Sequence, residues 1–174
     1  MRSGLMRYVL ILGCLMITSC LSVPDGVVPV KNFELDRYLG RWYEIARLDH
    51  SFERGLEAVS ADYSLKDDGG IKVINSGRNT ETRLQDQAEG RAYFVDDSTV
   101  GHFKVSFFGP FFGSYVIFEL DQQDYQYAFV AGNTTNYLWL LARTPEVSDD
   151  LMNQFRSSAE ELGFNLEDLI LVMH

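Results

Sequence analysis

From Trp42 to Arg143 the chain repeats one pattern: a short run rich in Tyr, Phe, Val and Ile, then a cluster of turn-forming residues. Asp67-Asp68-Gly69-Gly70, Asp96-Asp97-Ser98, Gly109-Pro110, Asp121-Gln122-Gln123-Asp124 and Gly132-Asn133-Thr134-Thr135-Asn136 are the clearest breaks. The spacing predicts eight strands, near 42–48, 57–65, 71–78, 87–95, 102–108, 114–120, 125–131 and 137–143. Loops this short join antiparallel neighbours. The expected fold is therefore all-β, an eight-stranded up-and-down antiparallel barrel whose closure removes exposed strand edges.

After the strands the period changes. Ser148 is suited to cap a helix, Asp149 and Asp150 suit its positive end, and Leu151, Phe155, Ala159 and Leu162 fall on one stripe that ends at Gly163. This C-terminal α-helix is expected to pack outside the barrel, followed by a last short strand over Leu169–Met173. Ahead of the strands, Phe33–Leu39 reads as one helical turn closed by Gly40. Residues 21–32, with Pro24 and Pro29 and no period, read as an extended tether.

Alternation assigns faces, because inward and outward side chains alternate along a barrel strand. Phe103, Val105 and Phe107 alternate with His102, Lys104 and Ser106, and Val59, Ala61 and Tyr63 with Ser60, Asp62 and Ser64, so both apolar sets are expected to face inward. Tyr137, Trp139 and Leu141 share one face with Arg143. The strand holding Tyr115 and Ile117 is apolar on both faces, and its two residues are carried as further candidates. These eleven positions are the expected ligand-binding wall. They could equally fill the barrel as a core, since eight strands leave room for either outcome. The run Phe107-Phe108-Gly109-Pro110-Phe111-Phe112-Gly113 puts four phenylalanines around a turn, where an apolar patch points to an interface, a portal, membrane contact or burial under neighbouring loops.

The N-terminus carries a different signal. Arg2 and Arg7 precede an apolar run, Tyr8 to Ile17, and then Thr18-Ser19-Cys20. A basic start, a short apolar run and small residues before a cut describe a secretory signal, too short to span a bilayer. Residues 1–19 are thus expected to be removed. Their loss leaves 13 basic against 25 acidic residues, a net charge of −12. That excess argues against nucleic acid, whose binding needs basic side chains on phosphates, and against electrostatic adhesion to an anionic bilayer. With Cys14 cleaved away and Cys20 modified, no thiol remains for a disulfide, and stability must come from the core.

Ile17-Thr18-Ser19-Cys20 resembles a bacterial lipobox, which implies acylation of Cys20. Cys14 is the rival, but a cut there would leave too short an apolar run, and an ordinary signal with an incidental cysteine is the plain alternative. Leu21 in place of Asp implies sorting to the outer membrane. Leu39-Gly40-Arg41-Trp42-Tyr43-Glu44-Ile45-Ala46-Arg47 resembles the Gly-x-Trp-Tyr motif that opens the first lipocalin strand. Tyr137-Leu138-Trp139-Leu140-Leu141-Ala142-Arg143-Thr144-Pro145 is similar to the final-strand motif of that family, and Asp124-Tyr125-Gln126-Tyr127-Ala128 loosely resembles its middle motif, with the threonine absent and the spacing shortened. The resemblance covers residues 33–174 and is nearest to the bacterial, outer-membrane branch.

It implies a signal at 1–19, a lipidated tether at 20–32 and a lipocalin domain at 33–174. It also implies structural roles for Gly40, Trp42 and Arg143, the guanidinium lying across the indole where the barrel closes. The implied function is binding and transport of single-chain lipids, lysophospholipids or fatty acids, at the periplasmic face of the outer membrane, for membrane maintenance under stress. The implied partners are those lipids and, as relatives can dimerise, a second copy. The alternative is an anchored structural or interaction lipoprotein with a filled barrel. No cofactor and no enzymatic activity are expected: His50, His102 and His174 are widely spaced, and neither a Gly-x-Ser-x-Gly elbow nor a cysteine nucleophile is present. A haem carrier using His50 or His102 is the remaining cofactor reading.

Overall fold

The computed structural model describes residues 21–174; the signal segment and Cys20 lie outside the described residues. Eight strands run up and down: β1 (Gly40–Leu48), β2 (Leu56–Leu65), β3 (Ile71–Asn79), β4 (Gln85–Phe94), β5 (His102–Ser106), β6 (Gly113–Leu120), β7 (Tyr127–Ala131) and β8 (Leu138–Ala142). Every pairing is antiparallel, and β1 bonds both β2 and β8, so the sheet closes on itself. A ninth strand, β9 (Leu169–Leu171), adds to the end of β1. Two strands are shorter than their apolar runs. Tyr125 and Gln126 drop out of β7 because Tyr125 adopts φ 56° and its hydroxyl turns to accept from the Glu34 amide. Phe107 and Phe108 drop out of β5 because the chain turns at Gly109-Pro110.

The strand directions give the barrel two unlike ends. Loops 66–70, 95–101 and 121–126 gather at one, where α1 (Leu35–Tyr38) and Trp42 close the interior. Trp42 is 0% exposed, and its Nε1 donates to the Tyr38 carbonyl at 2.7 Å. The Arg143 guanidinium lies 4.0 Å above the indole and donates to the carbonyls of Arg37, Arg41 and Tyr125. Gly40 takes φ 90°, and a Cβ there would meet Arg143 Nη1 at 3.6 Å. A side chain is thus disfavoured mainly by the left-handed backbone. Loops 49–55, 80–84, 107–112 and 132–137 form the other end, which stays open.

The second helix, α2 (Asp149–Glu161), covers the outside. Ser148 Oγ accepts from the Leu151 amide and Gly163 takes φ 80° at the exit. Phe155 and Ala159 are buried, Phe155 packing edge-on against Phe129 of β7 at 5.1 Å, with Leu151 and Leu162 flanking them. Nothing in the structure explains Glu160 and Glu161 at the negative end of this helix.

Residues 21–32 are not the plain extended tether expected, since a turn closed by the Val27 amide on the Pro24 carbonyl, with Gly26 at φ 81°, interrupts them, and they do not hang free. The Lys31–Val100 bridge and the hydrogen bonds of Val30 to Gly101 and Ile117 start the segment near the closed end. Val27 is buried among the residues under α2. Ser22 Oγ then donates to the Asn133 carbonyl, in an open-end loop, at 2.9 Å. The segment is a strap that runs the length of the barrel.

Candidate ligand-binding site

Inside the barrel, above Trp42, lies a cavity of about 380 Å³ that opens between the loops of the open end. Its size is within the roughly 300–1,000 Å³ typical of small-ligand sites. Val59, Ala61 and Tyr63 of β2, Val105 of β5, Phe107, Tyr115 of β6, Tyr137 just before β8, and Trp139 and Leu141 of β8 all line it. Nine of the eleven positions expected from alternation are thus brought together. Two are not. Phe103 sits deeper, in the aromatic packing with Phe33 and Phe94, beside a void of only about 10 Å³. Ile117 is fully buried in the interior core under Gly101 and lines no cavity, because the strap takes up the space there.

The floor is a chain of phenols. Tyr115 Oη lies 2.7 Å from Tyr38 Oη and 3.0 Å from Tyr63 Oη. Burial pushes all three hydroxyls well above their ordinary titration range, so they remain neutral donors.

One wall is charged. The register between β1 and β8 passes from Glu44↔Leu141 to Ala46↔Leu140, so β1 carries one extra residue. This bulge turns Ile45 and Ala46 outward together and brings Arg47 onto the inner face beside Glu44. Arg47 Nη1 donates to Glu44 Oε1 at 2.6 Å, and Nη2 donates to the carbonyls of Glu53 and Leu56, tying the 49–55 loop across the rim. Glu53 accepts from Trp139 Nε1 at 3.1 Å and lies 2.9 Å from His50 Nε2. Burial, and next the Glu53 charge, hold the Glu44 carboxyl well above the usual range. Glu53 is also pushed up by burial, but its contacts with His50, and then Trp139 and Arg47, carry it below the usual range. Of the two acids, Glu44 is therefore the one that holds a proton more readily.

Glu44 was legible as inward, being in phase with Trp42; Arg47 was not, since only the bulge turns it in. Neither histidine offers itself to haem: His50 faces Glu53, and His102 lies outside the cavity lining with its Nδ1 3.1 Å from Asp96. Among the described residues there is no cluster of metal-ligating side chains.

At the rim, Phe108 and Phe111 are 76% and 79% exposed, and Phe52 is half exposed. The aromatic loop is therefore not buried under its neighbours. Phe107 faces the cavity, and Phe112 lies beneath the cations of Arg91 and Lys104 at 5.4 and 5.6 Å.

Residues 33–174 match the lipocalin-like domain family. The chain is 55% identical over 163 residues to the outer membrane lipoprotein Blc of Vibrio cholerae, covering 94% of this chain and 95% of that one. It is 50% identical over 149 residues to the protein of the same name from Escherichia coli, covering 86% and 84%. Among solved structures, insecticyanin from the tobacco hornworm Manduca sexta superposes with a TM-score of 0.69 at 18% identity, over 88% of this chain and 87% of that one, a likeness of fold alone. Kinship with the bacterial proteins at this level puts the chain among lipid-anchored proteins of the outer membrane. The closed barrel, the Arg143–Trp42 closure and the domain match agree, and the chain belongs to the lipocalin family.

Proposed function

We propose that the barrel takes up one single-chain lipid from the membrane to which the protein is anchored, a lysophospholipid by preference over a fatty acid. The observation that carries this is the apolar cavity, open at one end and floored by neutral phenols. It supports the binding reading over a barrel filled by its own side chains. An eight-stranded barrel of this kind holds one small ligand, and a two-chain lipid needs more room. Burying a charged head in the cavity would cost its hydration, and the groups of the Glu44–Glu53 wall are already engaged with Arg47, His50 and Trp139, so the tail enters and the head stays at the rim. There Arg91 and Lys104, beside Phe112, offer positive charge to a phosphate or, less favourably, to a fatty carboxylate.

On this reading Cys20 carries the acyl anchor, residues 1–19 are its signal, residues 33–174 are the binding domain, and the protein handles lysolipid for membrane maintenance under stress at the periplasmic face. Each buried methylene is worth about 0.8 kcal/mol, roughly fourfold in Kd, so affinity climbs with chain length until the cavity is full. Titrating single-chain and two-chain lipids against Trp139 fluorescence, with Trp139→Phe as control, tests this. Affinity independent of chain length, or tighter binding of a two-chain phospholipid, refutes it.

A further inference from the structure

The open end of the barrel carries an exposed apolar rim that continues outward from the cavity mouth, where Phe52, Phe108 and Phe111 also line the opening. Of the eight large apolar residues left exposed among the described residues, Phe52, Leu84, Phe108 and Phe111 lie on open-end loops, in three of the four. Phe108 and Phe111 are the most exposed of all eight. The closed-end loops, by contrast, present Asp67, Asp68, Asp97, Gln122 and Asp124.

The strap decides what can meet this rim. It leaves the closed end at Val30, is held under α2 at Val27, and reaches the open end at Ser22, bonded to Asn133, which itself lines the cavity mouth. Cys20 is two residues from Ser22, and two residues span at most about 7 Å. An acyl group on Cys20 therefore starts beside the mouth. A free tether of the strap's length could have let the barrel point anywhere; a strap bound along the barrel cannot.

We propose that the open rim is a membrane-docking surface: Phe108 and Phe111, with Phe52 and Leu84, enter the same leaflet that receives the acyl chains of Cys20, so the cavity mouth opens into the bilayer. The charge distribution fits a phospholipid surface. Arg91 and Lys104 hold their cations over Phe112 of the same loop, at 5.4 and 5.6 Å, and would be near phosphates once the loop's exposed rings are immersed. The dock is apolar rather than basic, which suits a chain whose net charge is −12 after loss of residues 1–19. Lipid then exchanges between leaflet and cavity without its tail crossing water. The proposal rests on the reading of Cys20 as the acylated residue.

The test uses the full, acylated chain, in which an introduced cysteine is the single free thiol. Nitroxide labels go on Phe111→Cys, at the rim, and on Asp67→Cys, at the closed end, in vesicles of phosphatidylethanolamine and phosphatidylglycerol isolated by flotation. At Phe111 the label should collide more with dissolved oxygen than with a water-soluble nickel chelate, and at Asp67 the ratio should invert. Floated protein whose Phe111 label is as open to the chelate as the Asp67 label overturns the docking surface and leaves the anchor intact. Spin–spin broadening at Phe111 with no gain in oxygen access overturns it in favour of a second copy on the rim. Protein that does not float overturns the anchor reading, and the docking proposal with it.

Discussion

Truncating Arg143 should cost about as much stability as truncating Trp42, although only the tryptophan is a large core residue. Trp42→Ala removes a fully buried indole, and a loss of about 3–5 kcal/mol is usual for that change. Arg143→Ala removes three hydrogen bonds, at 2.7, 2.8 and 3.2 Å, that gather the carbonyls of Arg37, Arg41 and Tyr125 at the closed end. Because the guanidinium is only half-buried, these are discounted below the roughly 1.5–3 kcal/mol of a buried charged donor, to about 1 kcal/mol each. The contact with the indole at 4.0 Å adds about 1 kcal/mol. The expected loss is about 3–4 kcal/mol, of which only the ring contact is shared with Trp42. Urea denaturation of the two single variants and the double variant measures that share as a coupling of about 1 kcal/mol. Arg143→Lys separates the parts, since an ammonium can remain over the ring but cannot reach three carbonyls, and it should retain coupling while losing most of the stability. A coupling below roughly 0.3 kcal/mol, within the additivity of unconnected sites, would refute the closure as drawn.

Two further outcomes follow from the buried wall and the anchor. Glu44 keeps its proton to higher pH in the folded chain than in the unfolded one, so its contribution is complete below the ordinary glutamate value and is lost as pH rises through the elevated one. Glu44→Gln holds the neutral form, so as pH rises above the ordinary glutamate range the wild type should lose urea resistance relative to the variant, and parallel curves would contradict the raised titration of Glu44. Cys20→Ser should release the protein from floated membranes or leave it unprocessed, and a mature-length chain still fractionating with outer membrane would remove Cys20 as the anchor.

The hydrophobic pattern by itself determined the eight strands, the outer helix with its Ser148 cap and Gly163 exit, and nine positions of the cavity wall, because period and turn chemistry are local properties that each strand carries alone; the β3 and β4 side of that wall, with Val73, Asn75 and Gln87, was not among them. The pairing of Trp42 with Arg143 was legible through family resemblance; their separation in the chain says nothing of the three carbonyls that the arginine gathers. What only the tertiary structure decided are the places where alternation breaks or another segment intrudes. The bulge at Glu44–Ala46 lies in the pairing of β1 with β8, a long-range ladder that no local pattern reveals, and it turns Arg47 into the barrel against its sequence phase. Ile117 has the pattern of a wall residue, yet the strap presses Val30 against Gly101 beside it and leaves no space. The course of residues 21–32 was hidden for the same reason: without a period the segment reveals no direction, and contacts with three distant elements lead it to the open mouth.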